Sequence, residues 1–235
     1  MTRCVAVIVA GGDGVRVGRE GGKQLALVAG MPVLGHTLAA FESCPAVDAI
    51  VLVVHPLRVA EYSAVAERIK AAKVVAVVPG GETRQESVAS GLAVAEHQAE
   101  IIIVHDGARP LVSAALITEA VRSLIEDPAV DGVVVGHPSY DTVKSVDLDR
   151  HVLRTEDRER LWLIQTPQVF RVGILKNAYD KAMCDGYSGT DDASLVEHAG
   201  GRIGLVLGPR DNIKVTVPED LVVVERLLAR RAVDS

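Results

Sequence analysis

The feature that most constrains the fold is a series of short, continuously apolar segments rich in β-branched residues. They are Cys4–Ala10, Ala49–His55, Val74–Val78, Ile101–His105 and Gly132–His137. Longer stretches rich in alanine, leucine and glutamate separate them. Strands buried on both faces lack an alternation of polar and apolar residues, and a parallel sheet covered by helices requires such strands. The pattern therefore predicts an α/β fold with an open, doubly wound and mostly parallel sheet.

Two helix starts and one hairpin are also predicted. Thr83 to Glu86 has the sequence of a capping box, and Pro218 followed by two acidic residues is typical of a helix N-terminus. Between Ser139 and Arg158, short apolar stretches flank a polar turn, which indicates a β-hairpin. A hairpin of this size buries little surface alone, so we expect an arm that packs on a second subunit. We expect one domain, residues 1–235, with a dimerisation arm at about 139–158.

Composition excludes several classes of function. The 235 residues include 25 basic and 31 acidic ones, for a formal charge of −6, and only 3% are aromatic. Without a dense basic cluster or many stacking side chains, nucleic acid is not an expected partner. The sequence contains no run of 18 apolar residues, so we expect no membrane span. Three widely spaced cysteines support neither a disulfide framework nor a zinc site, so we expect a cytoplasmic enzyme or binding protein.

Glycines directly follow the first apolar segment. Gly11, Gly12 and Gly14 let backbone amides approach a phosphate closely, and Arg16 and Lys23 add positive charge. The segment therefore predicts an anion site. Its spacing matches neither the dinucleotide-binding fingerprint nor the P-loop. The alternative is a flexible surface loop with solvated cations.

Two further segments carry residues suited to nucleotide chemistry. Asp106 directly follows the segment Ile101–His105, and a carboxylate at such a strand end can hold Mg²⁺, which completes its shell with water and substrate phosphates. Alternatively, Asp106 forms a turn or pairs with Arg109. Gly81, Arg84 and Ser87 stand where the third segment enters a helix, and offer free amides, a guanidinium and a hydroxyl. Alone, that segment is only a capped helix start.

Together these motifs resemble those of the 2-C-methyl-D-erythritol 4-phosphate cytidylyltransferases. The resemblance covers nearly the whole chain and also includes Asp141–Lys144, Arg158, Gln165–Gln168, Thr190–Ser194 and Asp211–Thr216. The chain departs from the family pattern at Gly22, where proline is common, and at Gly11 and Gly107, where alanine is common. We expect these changes to affect loop rigidity and kinetics. If the backbone angles permit it, Gly22→Pro should lower the KM for CTP.

The resemblance implies a reaction and a role for individual residues. The phosphate of methylerythritol phosphate attacks the α-phosphorus of CTP and expels pyrophosphate. Arg16 and Lys23 are implied to stabilise the charge that accumulates on phosphorus, and Asp106 to hold Mg²⁺. Nucleotide-binding roles are implied for Ala10, Gly11, Gly12, Gly14, Gly81, Glu82, Arg84, Ser87, Ala108 and Arg109.

The resemblance also implies a composite site for the second substrate. Lys214 and Thr190 match residues on the polyol phosphate side, and Thr142 and Arg158 match arm residues contributed by the neighbouring subunit of a homodimer. The expected partners are thus CTP, methylerythritol phosphate and a second copy of the chain.

Two alternatives remain open at this point. A ribitol 5-phosphate cytidylyltransferase has the same chemistry, and the opening Ala10-Gly11-Gly12 fits it, whereas Lys144 and the run from Thr190 to Glu197 resemble the methylerythritol enzymes. A nucleotide-binding regulator without catalysis is the other alternative, with Gly22 as its sign. Retention of the charged residues named above argues against it.

Overall fold

A computed structural model describes residues 2–12 and 22–233. Its strands are β1 (Cys4–Ala10), β2 (Leu27–Val28), β3 (Met31–Pro32), β4 (Ala49–Val54), β5 (Val74–Pro79), β6 (Ile101–Asp106), β7 (Gly132–Pro138), β8 (Lys144–Val146), β9 (Val152–Thr155), β10 (Trp162–Arg171) and β11 (Ile203–Leu207). Its α-helices are α1 (Val33–Ser43), α2 (Val59–Arg68), α3 (Arg84–Ala95), α4 (Ala114–Glu126), α5 (Val172–Asp185), α6 (Asp192–His198) and α7 (Pro218–Val233).

Seven strands form the central sheet, in the order β11-β7-β10-β6-β1-β4-β5. β1 pairs in parallel with β4 and β6, β4 with β5, and β7 with β11. Only β10 runs antiparallel to its neighbours β6 and β7. The predicted α/β class and mostly parallel sheet are therefore confirmed, and the five predicted strands agree with the observed bounds to within one residue. β10 and β11 were not predicted.

Helices cover both faces of this sheet, which explains why the central strands are apolar throughout. α1, α2 and α4 pack on one face through residues such as Leu34, Tyr62 and Ile117, all fully or almost fully buried. α3, α5 and α6 pack on the other face. A smaller cluster attaches α7 to the rest through Val215 and Val224. Every residue of β1 is buried, as a strand between two helical layers must be.

The chain direction places a crevice above β1 and β6. After β1 the chain passes through α1 to β4 on one side, and later returns through α3 to β6 on the other side. Parallel α/β sheets bind ligands at such a point, outside the carboxyl ends of the strands. Here β1 ends at Ala10 and β6 ends at Asp106. Asp106 pairs with Val9 of β1 in the sheet.

The locally encoded features agree with the sequence. Thr83 caps α3 in a capping box with Glu86, and Pro218 begins α7. β8 and β9 pair as an antiparallel hairpin within the segment predicted to form one. Among the described residues, no helix combines the length and apolar character needed to cross a membrane.

Candidate active site

Most residues predicted to bind the nucleotide line one cleft at the carboxyl edge of the sheet. Gly14 and Arg16 lie outside the described residues, and Ala10 is buried at the end of β1 rather than on the cleft wall. The N-terminus of α3 and the loop before α7 form the sides of the cleft. Its lining consists of Val9, Gly11, Gly12, Lys23, Gln24, Gly81, Glu82, Thr83, Arg84, Ser87, Asp106, Ala108 and Lys214.

Side chains in the first turn of α3 accept hydrogen bonds from the backbone amides that precede the helix. The amide of Gly81 donates to Ser87 Oγ at 3.2 Å, and the amide of Glu82 donates to Glu86 Oε2 at 2.7 Å. Thr83 accepts a bond from the Glu86 amide at 3.1 Å. The sequence predicted free amides here, and that expectation is wrong for Gly81 and Glu82. The capping box satisfies the donors that a helix start would otherwise leave open.

Gly22, the residue before Lys23, has a backbone that only glycine adopts readily. Its φ is 75° and its ψ is 160°, and Lys23 then begins a short 3-10 helix, Lys23–Leu25. The ring of proline fixes φ near −65°, so proline cannot follow this path. The condition attached to Gly22→Pro is therefore not met, and a lower KM is no longer expected from this substitution.

The other two departures from the family pattern differ in their surroundings. A Cβ at Gly11 would lie 3.5 Å from the carbonyl oxygen of Val54 and 3.6 Å from Ser87 Oγ, which are ordinary contact distances. At Gly107 a Cβ would lie 3.1 Å from the Cβ of Ala10, so that neighbours would have to shift slightly. Glycine is therefore optional at position 11, whereas alanine at position 107 requires its neighbours to give way by a few tenths of an ångström.

Three cations surround the buried carboxylate of Asp106. Lys214 Nζ lies 2.9 Å from Oδ2, Arg109 Nε lies 3.6 Å from the same oxygen, and Arg84 Nε lies 3.2 Å from Oδ1. Burial alone would raise the pKa of this carboxyl, but the charges of Lys214, Arg84 and Arg109 more than offset it and hold the pKa well below its usual range. The Asp106 carboxylate is therefore charged at any physiological pH.

A second carboxylate, that of Asp192, also forms an ion pair with Arg84. Arg84 Nη2 lies 2.8 Å from Asp192 Oδ2, and the Tyr179 hydroxyl donates to Oδ1 at 2.6 Å. Burial, followed by the charge of Asp192, raises the pKa of Tyr179 far above its ordinary value, so the hydroxyl stays a donor. Gln168 fixes the backbone at the start of α6, because its Oε1 accepts a hydrogen bond from the Asp192 amide at 3.1 Å.

These roles of Asp192 and Gln168 were not predicted from the sequence. The motif Thr190–Ser194 was recognised, but two adjacent acids after a hydroxyl are usually structural, and Asp191 does cap α6. The signal that separates Asp192 from its neighbour is complete burial, and burial requires the fold.

A second cleft adjoins the first and shares Arg84, Asp106 and Lys214 with it. It also contains Arg109 and Thr190, two of the predicted site residues, and Ile164, Gln165, Thr166, Gln168 and Asp191. The Arg109 side chain is only 11% exposed, and its Nη1 donates to the carbonyl of Asn212 at 2.8 Å. Two clefts joined by a row of charged groups can hold two anionic molecules side by side.

Thr142 and Arg158, the remaining predicted residues, lie at the base of the arm and line neither cleft. Both are exposed, and Arg158 donates to the carbonyl of Tyr140 at 3.1 Å. The fold of one chain thus brings most of the predicted residues together, whereas Thr142 and Arg158 lie outside both clefts.

The donor set fits a magnesium ion that arrives with phosphates. Among the residues that the structure describes, no three His, Cys, Asp or Glu side chains are grouped so that they could hold a metal alone. Mg²⁺ needs only one or two protein carboxylates when substrate phosphates and water supply the rest, and Asp106 offers one charged oxygen ligand. The arrangement therefore suits a metal bound to a triphosphate.

Comparisons with known proteins agree with one another. A model of the family described as IspD, 2-C-methyl-D-erythritol 4-phosphate cytidylyltransferase, matches residues 4–230. The chain is 44% identical over 232 residues to the protein of that name from Pelotomaculum thermopropionicum, covering 98% of this chain and 96% of that one. The namesake from Alkaliphilus metalliredigens is 42% identical over 232 residues, covering 98% and 95%. A solved structure, 4-diphosphocytidyl-2C-methyl-D-erythritol synthase from Anaerococcus prevotii, matches with a TM-score of 0.84 at 28% identity, covering 97% and 96%.

Proposed function

The chain belongs to the 2-C-methyl-D-erythritol 4-phosphate cytidylyltransferase family, and we propose that it performs this family's reaction with CTP in the first cleft and the polyol phosphate in the second. The enzyme is a nucleotidyltransferase of isoprenoid precursor biosynthesis. It transfers the cytidylyl group of CTP to 2-C-methyl-D-erythritol 4-phosphate. A bond forms between a phosphate oxygen of the acceptor and the α-phosphorus of CTP, and pyrophosphate leaves.

One observation carries this placement, namely that glycines, amides and cations from four distant segments meet at one sheet edge. Gly11 and Gly12 allow close approach of a phosphate, and Lys23 and Lys214 flank the same cleft. Ser87 and Glu82 line the same cleft, and their polar groups are suited to reading a pyrimidine edge. The ligand that suits these neighbours is a nucleoside triphosphate.

The chemistry requires alignment and charge stabilisation rather than a general base. A phosphate monoester has a second pKa near 6 and is already anionic at neutral pH. The protein must therefore hold two mutually repelling anions in line and stabilise the charge on the five-coordinate phosphorus. We assign the second task to Lys23 and to Arg16, which lies outside the described residues. Lys214, which lines both clefts, contacts the phosphates between them.

Asp106 is the residue that would hold Mg²⁺. When bound there with the triphosphate, the ion would neutralise charge on the phosphate oxygens and assist departure of pyrophosphate. The contribution of the chain is the fixed position of the carboxylate, which Arg84 and Arg109 hold from two directions.

A homodimer would complete the acceptor site. The second cleft supplies Arg109, Thr190 and Lys214. We propose that Thr142 and Arg158 reach it from the arm of the partner. Exposed apolar residues support an intersubunit role for this arm, since Val146, Val152 and Leu153 are each more than half exposed. We also propose a cytoplasmic location, where CTP is available.

A pyrophosphate-release assay tests this assignment. Purified protein with CTP and Mg²⁺ should release pyrophosphate with methylerythritol phosphate, and much less with ribitol 5-phosphate. Lys23→Gln should lower kcat on the order of 10²-fold because one preorganised charge is lost. Lys181→Gln, which removes a surface charge paired with Asp185, is the control. A preference for ribitol 5-phosphate, or binding of CTP without turnover, would refute the proposal.

A further inference from the structure

We propose that Lys214 competes with Mg²⁺ for Asp106 and thereby makes the metal site selective for the metal–nucleotide complex over the free cation. The triphosphate draws the ammonium of Lys214 away and leaves the carboxylate to the metal. This inference rests on the proposed placement of Mg²⁺ at Asp106.

The two arginines beside Asp106 are anchored elsewhere. Arg84 is held by Asp192 through a 2.8 Å ion pair whose carboxylate is fully buried. Arg109 is held by the carbonyl of Asn212 at 2.8 Å. Releasing either guanidinium from this region would leave a buried acceptor without its partner, which is costly. These two cations therefore remain where they are when ligands bind.

Lys214 has no such second anchor within the described part of the chain. Its ammonium contacts Asp106 Oδ2 at 2.9 Å, and its side chain is 37% exposed, compared with 28% for Arg84. The side chain lines both clefts, so positions facing either substrate lie within its reach. Of the three cations around the carboxylate, Lys214 is the exchangeable one.

The backbone that carries Lys214 is fixed, which confines the exchange to the side chain. The amide of Val215 donates to the carbonyl of Ala108 at 2.8 Å, and Thr216 Oγ1 donates to the carbonyl of Lys214 at 3.0 Å. The first bond ties the loop before α7 to the segment that follows β6, and the second holds the backbone within the loop. The ammonium can therefore move between carboxylate and phosphate without a rearrangement of the loop.

Electrostatics sets the direction of this exchange. A divalent cation on Asp106 would stand within a few ångströms of the ammonium, and like charges at about 4 Å repel strongly even in a partly screened site. Free Mg²⁺ must therefore displace Lys214 without compensation. A triphosphate offers the ammonium several anionic oxygens, so the metal and the lysine no longer compete when nucleotide and metal arrive together.

Titration with Mn²⁺ in the absence of nucleotide, followed by electron paramagnetic resonance, tests the competition. We expect weak binding to the wild type and at least about tenfold tighter binding to Lys214→Gln, because the repulsion is removed. Lys214→Arg keeps the positive charge and should bind Mn²⁺ as weakly as the wild type. Lys181→Gln controls for net charge, and Asp106→Asn combined with Lys214→Gln should lose the gained affinity.

The affinity for CTP in the presence of Mg²⁺ should move in the opposite direction. Lys214→Gln should bind the nucleotide more weakly, since the phosphates lose a cation, while it binds free Mn²⁺ more tightly. A merely structural role would weaken both ligands together. Equal Mn²⁺ affinities in the wild type and Lys214→Gln would overturn the inference. Tight binding of Mn²⁺ by the wild type in the absence of nucleotide would also overturn it.

Failure of this inference differs from failure of the proposed function. If the wild type releases pyrophosphate but Lys214→Gln gains no affinity for Mn²⁺, only the competition is refuted. If the wild type releases none with methylerythritol phosphate, the function fails, whatever the metal titration gives.

Discussion

Arg84 Nη2 lies 2.8 Å from Asp192 Oδ2, an ion pair between residues 108 positions apart in the sequence. The Asp192 side chain is fully buried, whereas that of Arg84 is 28% exposed and also reaches Asp106 through Nε. Burial would lower the pKa of Arg84, but Asp192 and Asp106 outweigh it and raise the pKa, so the guanidinium stays charged. This pair joins the starts of α3 and α6 and fixes one wall of the nucleotide cleft.

We expect Asp192→Asn to destabilise the protein and weaken CTP binding. Asparagine keeps one acceptor oxygen, but it removes the charge and turns an NH2 group toward one of the two donors, Arg84 or Tyr179. The free energy of unfolding should therefore fall by about 2 to 3 kcal/mol, less than for a wholly buried pair because Arg84 is partly exposed. Urea unfolding measures this change, and the KM for CTP should rise. Asp180→Asn, on an exposed pair with Lys176, should leave both values near those of the wild type. A stable Asp192→Asn variant would show that the pair contributes nothing.

The buried His105, next to Asp106, should make stability depend on pH. Burial lowers the pKa of His105 to about 3, against about 6.5 in an unfolded chain. Between these values the unfolded chain binds a proton that the folded protein does not. The contribution of neutral His105 to the free energy of unfolding is therefore fully present above about pH 6.5 and is lost as the pH falls. The depressed pKa of Asp106 acts in the same direction below about pH 4, where the unfolded carboxyl takes up its proton.

The pH dependence can be assigned by substitution. The free energy of unfolding should fall by about 1.4 kcal/mol per pH unit between about pH 6 and pH 4 owing to His105 alone. His105→Asn cannot titrate and can still bond Thr166, whose Oγ1 lies 3.0 Å from Nδ1, so it should remove most of this slope. The exposed His97 provides the control, since His97→Asn should keep the slope. An unchanged slope in His105→Asn would contradict the assignment.

Gly22 should tolerate no other residue well. Its φ of 75° and ψ of 160° lie in a region that is almost confined to glycine, and a side chain there costs about 1 to 3 kcal/mol. Gly22→Ala and Gly22→Pro should therefore raise the KM for CTP, because Lys23 follows directly. Gly173→Ala is the matched control, since a Cβ there meets no atom within 4 Å and no positive φ is involved. A lower KM in Gly22→Pro would mean that the backbone takes another path during binding.

The fold could be predicted where the information is local. The continuous apolar segments gave five strands, and turn and capping residues gave the hairpin and the start of α3. β10 was missed because its sequence contains Pro167 and several polar residues, which argue against a central strand. In the structure the two glutamines make hydrogen bonds beside the second cleft, since Gln165 accepts from Asn212 and Gln168 donates to Asp191. Local rules fail most readily at such sites.

The site was predictable in part for the same reason. Glycines and cations near strand ends are local signals, and they did converge. The pairing of Arg84 with Asp192 depends on how α3 and α6 pack on one face of the sheet, which no local pattern contains. The capping box was predicted, but the amides of Gly81 and Glu82 were misjudged, because no local rule shows that Ser87 Oγ and the Glu86 carboxylate also reach back to these two residues before the cap.

We expect the arm of one subunit to contribute Arg158 to the acceptor site of its partner. Arg158 lies in the short 3-10 helix Arg158–Arg160, exposed and outside both clefts of its own chain. Its planar guanidinium can hold a phosphate through two hydrogen bonds, which lysine does not reproduce. We therefore expect Arg158→Ala and Lys23→Ala each to be nearly inactive as homodimers. Arg160→Ala, in the same exposed segment, should stay near wild-type activity.

Mixing the two inactive variants distinguishes a composite site from a site within one chain. If Arg158 acts on the partner's cleft, a mixed dimer contains one site with both defects and one site with neither. Random exchange makes half of the dimers mixed, and half of their sites are intact, so activity should return to about a quarter of the wild-type value. Pyrophosphate release after co-refolding measures this recovery, and labelled subunits verify the exchange. If exchange is complete and the mixture stays as inactive as either parent, the acceptor site lies within one chain and the proposed role of the arm is wrong.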